Sequence, residues 1–390
     1  MAPATGPDPA SYGLERIDVV LDNANGVFVA GKTVTGCVRL RLRAPIDALG
    51  ICVRCKGEAR VRFTDRSAGI RRKFAAEEGY LHLEPYIFGD GESSSRVEVT
   101  GSCDYSFSLE LPDKVPCSFE GLYGRIRYSI RASLVVARDV VFHSQVLPFS
   151  LVSTVDLNRD SLAPLPISES QTKRFIGQRE PLWMELSLPV RGFVPGQTVP
   201  LLISLKNESN VRVAKIRIVL KKVATYHVKE VSKSRRHKEI VVEIELPVEG
   251  REQTIREYLD MPSVPPSGAN YCGIIDVRYA LKVEACVDLG EWYYRMLQKN
   301  PKIRTEIVIG TVPLDNYEDP LGRPTSGSTR EYIHTHTPSE ERLYERSQTY
   351  RSSKPDRDDP TGDEGDSDGE IHPYSPMYRV YKFDKTSKNS

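Results

Sequence analysis

Cys52-Val-Arg-Cys55 has the spacing of a zinc or redox pair. A structural zinc needs two further ligands, and the sequence holds no second C-x-x-C. On a strand, residues three apart point to opposite faces, so the two thiols are expected to pack separately as small apolar groups. His334-Thr-His336 is the other metal-like pair, and it lies in a polar tail that predicts solvation. His82, His143, His227 and His237 are scattered singly. No G-x-S-x-G, H-E-x-x-H or P-loop occurs. A nucleophile needs a base that a third group orients. No spacing here suggests one, so the reading is no enzyme, no metal and no cofactor.

Arginine carries the more informative pattern. Arg39, Arg41 and Arg43 alternate with Val38, Leu40 and Leu42, and Arg60 and Arg62 alternate with Ala59, Val61 and Phe63. Arg125, Arg127 and Arg131 follow with less definite facing. Guanidinium forks suit carboxylate and phosphate, so Arg39, Arg41, Arg43, Arg60 and Arg62 are candidate contacts for an acidic or phosphorylated partner. The competing reading is an ordinary solvent face of an antiparallel sheet. "KEVSKSRRHK" (229–238) reads as a hairpin tip. Its Lys229, Lys233, Arg235, Arg236 and Lys238 could meet anionic headgroups, each base contributing about 1 kcal/mol near such a leaflet. A solvated loop is the alternative. No aromatic platform interleaves with these bases, so nucleic acid is not expected as a partner.

A third stretch, "IHPYSPMYRVYKF" (371–383), follows an acidic run. Pro373, Tyr374, Pro376, Tyr378, Tyr381 and Phe383 form a candidate motif. Tyr378, Val380, Tyr381 and Phe383 can make a short strand, which would dock on a sheet edge of the body or serve a partner as a linear motif. Thr361 and Ser367 have acids three residues on, a pattern for acidophilic kinases.

The elements that must position these groups are strands. "CVRLRLRA" (37–44), "GEARVRF" (57–63), "KIRIVLKK" (215–222), "IVVEIEL" (240–246) and "VRYALKVEA" (277–285) alternate with period two. That pattern means half-buried antiparallel strands, and turn signals such as "GDGE" and "KNESN" separate them. No long amphipathic helix precedes residue 314. The expectation is all-β.

The pattern is written twice. "GVFVAGKTVTGCVRL" (26–40) aligns with "RGFVPGQTVPLLISL" (191–205) at a constant offset. "LPDKVPCS" (111–118) matches "MPSVPPS" (261–267), and "IRYSIRA" (126–132) matches "VRYALKV" (277–283). Three pairs in one order predict two copies of one sandwich, each long enough to own a core. Gly31 and Gly196 are expected at the same turn of the same hairpin. The expected organisation is a flexible 1–13, a sandwich over 14–153, a linker over 154–173, a second sandwich over 174–314, and a mostly disordered acidic tail over 315–390.

Composition agrees. Apolar residues make up 39% of the chain, low for a fully ordered protein, which points to a polar tail. Residues 315–390 hold 16 acids and 11 bases, leaving the body near +6 and the tail near −5. Tail folded over body would mask the arginines, an autoinhibited arrangement. The opening "MAPATGPDPASYG" has no apolar run, which predicts no signal peptide, and no stretch is apolar enough to span a bilayer. Seven cysteines without framework spacing fit a reducing compartment.

The ordered set "VFVAGKTVTG", "SFEGLYGRIRYSIRA", "VDLN", "GFVPGQTVP", "CGIIDVRYALKV" and "IVIGTVPL" resembles the α-arrestins, the arrestin-domain-containing proteins, over residues 14–314. The resemblance implies two tandem arrestin-type (immunoglobulin-like) antiparallel β-sandwiches and a flexible tail. It implies a cytoplasmic adaptor, recruited to plasma membrane or endosomes. Such an adaptor binds membrane receptors or transporters and links them to ubiquitin ligases, endocytosis or endosomal sorting. Many members dock ligase WW domains through P-P-x-Y, which this tail lacks, so ligase recruitment is expected to be indirect. One branch binds thioredoxin through a C-domain cysteine. Cys272 and Cys286 are the positions at which that alternative would act.

Overall fold

Alternation in the sequence becomes alternation in burial. Val34, Val38 and Leu40 are sealed while Arg39 and Arg41 face outward. The computed structural model describes residues 8–67, 70–92, 96–268, 271–288, 299–317, 344–348, 351–352 and 374–382. In the first half, β1 (Leu14–Leu21), β2 (Thr33–Leu42), β3 (Gly50–Ser67), β4 (Ile70–Leu83), β5 (Ser102–Glu110), β6 (Gly124–Ala137) and β7 (Leu147–Val152) are the principal strands. They form a β1-β2-β5 sheet and a larger one with the path β7-β6-β3-β4. Val27–Val29 runs parallel to β7 at its edge.

The second half repeats the plan. Its strands are β8 (Ile167–Lys173), β9 (Leu182–Leu188), β10 (Thr198–Asn207), β11 (Arg212–Val228), β12 (Lys233–Pro247), β13 (Glu252–Asp260), β14 (Ile275–Asp288) and β15 (Lys302–Ile309). They order as β8-β9-β10-β13 and β15-β14-β11-β12, with Gly192–Phe193 parallel to β15. The principal strands correspond in order, except that β8 is an added edge strand with no counterpart in the β1-β2-β5 sheet. Even the buried tyrosines match: Tyr128 donates to the Pro116 carbonyl at 2.7 Å and Tyr279 to the Pro265 carbonyl at 2.6 Å. Each ring is fully buried, so its hydroxyl needs a partner, and the preceding proline loop supplies one.

Two expectations need correcting. The repeated phrase is no hairpin. Val27–Val29 pairs in the larger sheet and β2 in the smaller, so the turn between them carries the chain across the sandwich. Gly31 and Gly196 hold that corner at φ 75° and 93°, which a side chain would strain. Ile167–Lys173, inside the expected linker, is an edge strand on β9. Only Ile167 of it is buried, so no alternation marked it in the sequence.

The expected disordered tail contains described structure. β16 (Tyr344–Arg346) pairs with β18 (Met377–Arg379), and β17 (Arg351–Ser352) pairs with Glu239 and Ile240 of β12. The strand expected around Tyr378 therefore exists but pairs with another part of the tail, and the body holds the segment through side chains and a backbone bond at Tyr381. Pro373, Phe383, the acidic run and the His334/His336 pair lie outside the described residues.

Candidate functional site

The two arginine stripes lie on opposite sides of the first sandwich, because β2 and β3 belong to different sheets and each turns its apolar side inward. They cannot form one patch. Arg39 forks onto Asp104, with Nε–Oδ1 and Nη2–Oδ2 both 3.0 Å. Arg43 is 4.0 Å from Glu15. Arg60 sits between Glu58 at 2.9 Å and Glu77 at 3.5 Å. Arg41 and Arg62 are exposed and carry no ion pair among the described residues. Around Arg62 the outer face adds Arg125, in register with Arg60, and Arg127, which forks onto Glu120.

The basic cluster at 229–238 does lie at a hairpin tip, between β11 and β12. Much of it faces the first sandwich. Lys229 lies against Gly273, whose N–H donates to Glu78 at 2.8 Å. Lys233 is 3.9 Å from Asp65, and the Arg235 guanidinium is 5.4 Å over the Tyr123 ring. Arg236 and Lys238 are exposed. Arg236 joins Arg278, Arg304 and His227 in an open cleft of about 600 Å³ on the outer face of the β11-β14-β15 sheet.

Behind this tip the sandwiches meet on aromatics. Tyr226 of β11 is fully buried, edge-on to Tyr123 at 5.7 Å and 6.5 Å from Phe119. A Cβ on Gly121 would fall 2.2 Å from the Tyr226 hydroxyl, so only glycine admits this approach. Lys222 and Glu239 form an ion pair at 2.9 Å with side chains 4% and 9% exposed. The Lys222 ammonium also lies 5.7 Å from the Phe119 ring, a cation–π contact across the joint. His237 Nδ1 is 3.3 Å from Glu239. Burial works to raise the Glu239 pKa, but His237 and Lys222 outweigh it and hold the carboxyl below its ordinary value.

The tail segment 374–382 crosses the same joint at another place. Tyr378 is 3% exposed and its hydroxyl donates to the Ser118 carbonyl at 2.9 Å. The Tyr374 and Ser150 hydroxyls are 2.6 Å apart, and the Met377 N–H donates to Ser150 Oγ at 3.0 Å. Those partners belong to the first sandwich. Tyr381 takes the second: its N–H donates to Pro195 at 2.9 Å and its hydroxyl to Thr311 at 2.6 Å. A Cβ on Gly196 would lie 1.9 Å from the Tyr381 carbonyl oxygen. The repeated corner glycine of the second sandwich thus seats the tail. Pro376 lies in the segment and donates nothing, while its carbonyl accepts from Ser347.

Family models for the arrestin N-terminal domain and the arrestin C-terminal domain match residues 17–158 and 178–314. This chain is an α-arrestin. Arrestin domain-containing protein 17 of Caenorhabditis elegans is 24% identical over 320 residues, covering 77% of this chain and 71% of that protein. Arrestin domain-containing protein 1 of Homo sapiens is 26% identical over 280 residues, covering 69% and 61%. The mouse arrestin domain-containing protein 4 is 27% identical over 316 residues, covering 76% and 71%. The chain therefore spans under two thirds of the human relative's length.

Thiol chemistry in this α-arrestin is suppressed at most positions. Burial pushes Cys52 up to about 11 and Cys55 to about 12, and raises Cys117, Cys272 and Cys286. Among the described residues no group of three metal-ligating side chains is found, and no helix is long and apolar enough to cross a membrane. At pH 7 a thiol with pKa about 12 has a thiolate fraction of roughly 10⁻⁵, against about 3% for a free one. Cys55 should accordingly react with maleimide about three orders of magnitude more slowly in the native chain than in urea. Equal native and denatured rates, read by mass spectrometry, would contradict this burial.

Proposed function

We propose that this α-arrestin is a non-enzymatic cytoplasmic adaptor. It binds cytoplasmic segments of membrane receptors or transporters and links them to ubiquitin ligase recruitment, endocytosis or endosomal sorting. The observation that carries the reading is the doubled sandwich of an arrestin-type adaptor family, joined through a buried interface and presenting charged outer sheet faces. Arg41 and Arg62 are the candidate contacts for acidic or phosphorylated cargo, on two separate patches, because their neighbours Arg39, Arg43 and Arg60 already face carboxylates. Arg236 and Lys238 are the candidate contacts with anionic membrane, since Lys229, Lys233 and Arg235 face the first sandwich. The absence of P-P-x-Y favours an indirect link to the ligase. The raised pKa values of Cys272 and Cys286 count against a thioredoxin-binding regulator.

Proximity labelling in living cells tests the reading. The full-length chain should label membrane receptors, endosomal sorting factors and ubiquitin ligases, and Arg41→Glu with Arg62→Glu should deplete the receptors. A neighbourhood of thioredoxin and little else would replace the adaptor with the redox regulator.

A further inference from the structure

Tyr378 is the keystone of the segment that crosses the joint. Five hydroxyls or amides of the segment reach partners on both sandwiches: Ser118 and Ser150 on one, Pro195 and Thr311 on the other. Beyond these, its described hold includes a short pairing with Tyr344–Arg346, hydrogen bonds of Ser375 and Pro376 with Ser347, and the side-chain packing of three tyrosines. So small a unit, tied by few backbone bonds, opens locally at a fraction of the cost of global unfolding.

The seat has no place for a larger or charged group. Tyr378 is buried to 3% exposure, with its hydroxyl already 2.9 Å from the Ser118 carbonyl oxygen. The oxygen that the Tyr378 hydroxyl faces is a carbonyl, an acceptor that would repel an anion. Burial raises the Tyr378 pKa well above its usual value, so negative charge at this oxygen is disfavoured.

We propose that Tyr378 is a tyrosine-phosphorylation site that latches the inter-domain joint, closed when the hydroxyl sits on Ser118 and held open once it bears phosphate. A tyrosine kinase with magnesium ATP acts on the undocked segment. The phenol oxygen forms a bond to the γ-phosphorus, the bond from that phosphorus to ADP breaks, and the phenolic proton leaves to solvent. The product carries close to two negative charges and three further oxygens. It cannot re-enter the seat, so modification draws the equilibrium to the open form.

The test uses the full chain and the segment as a peptide. A labelled peptide of residues 374–382 should bind the full-length Tyr378→Ala/Tyr381→Ala variant, whose own segment has lost both anchors. The same peptide phosphorylated at Tyr378 should bind more weakly by on the order of 100-fold or more. Independently of any variant's folding, wild-type protein treated with a broad-specificity tyrosine kinase and ATP should acquire phosphate at Tyr378. Hydrogen exchange should then rise at residues 115–119, 149–152 and 310–312. Equal affinity of the two peptides, no binding of the unmodified one, a Tyr378 that stays unmodified while other tyrosines react, or unchanged exchange after stoichiometric modification would each overturn the latch.

Discussion

Tyr226→Ala should cost about 3–5 kcal/mol and divide one thermal transition into two. The residue belongs to β11 of the second sandwich, yet its ring lies among Tyr123, Phe119 and Gly121 of the first. It is fully buried, so truncation removes a large apolar surface and leaves a cavity that Gly121, with no side chain, cannot fill. Each sandwich retains its own sheets and core, which is why loss of the joint should uncouple the halves rather than unfold both. The transition that includes the joint should fall by roughly 10 °C. Tyr226→Phe keeps the ring and should stay within about 1.5 kcal/mol of wild type. Calorimetry decides: a single transition within a few degrees of wild type for Tyr226→Ala would show that the aromatic joint does not couple the domains.

The sheets of both halves were legible because each long strand buries one face, and alternation writes that directly into the residue types. The repeat was legible for the same reason, down to the paired tyrosines of "IRYSIRA" and "VRYALKV". The corner at Gly31 was harder, since a turn between strands of one sheet and a turn between two sheets use the same glycine. The edge strand at 167–173 was hidden because it buries a single residue. Lys222 is instructive. Ile216, Ile218 and Leu220 mark the inward parity of β11, and Lys222 falls on it, so a buried lysine was readable in "KIRIVLKK". Its partner was not. A bulge at Val241, where the register shifts between Leu220 and Lys221, turns Glu239 inward against the parity of the strand that follows. Serines 118 and 150, which receive the tail, carry no pattern at all; only the docked segment identifies them.

Lys222→Ala is the second large effect, about 3–5 kcal/mol lost at pH 7, because it leaves the Glu239 carboxylate buried with His237 as its remaining close partner. Replacing both residues, Lys222→Met with Glu239→Leu, should be close to neutral, since the pair's mutual attraction mainly offsets its own desolvation. The pH dependence separates this account from simple loss of packing. In the wild type the Glu239 pKa lies below its ordinary value, about 4.3 when unfolded. Its contribution is therefore complete above that value and is lost as pH falls through the folded pKa. In Lys222→Ala the two lowering contributions of the lysine are gone and the folded pKa rises. Protonation then costs the variant less than it costs the wild type. The stability gap, measured by urea unfolding, should be widest above about pH 5 and shrink below about pH 4. A gap of the same size at both pH values would mean that lost packing of the lysine stem on Phe119, rather than a stranded charge, sets the cost.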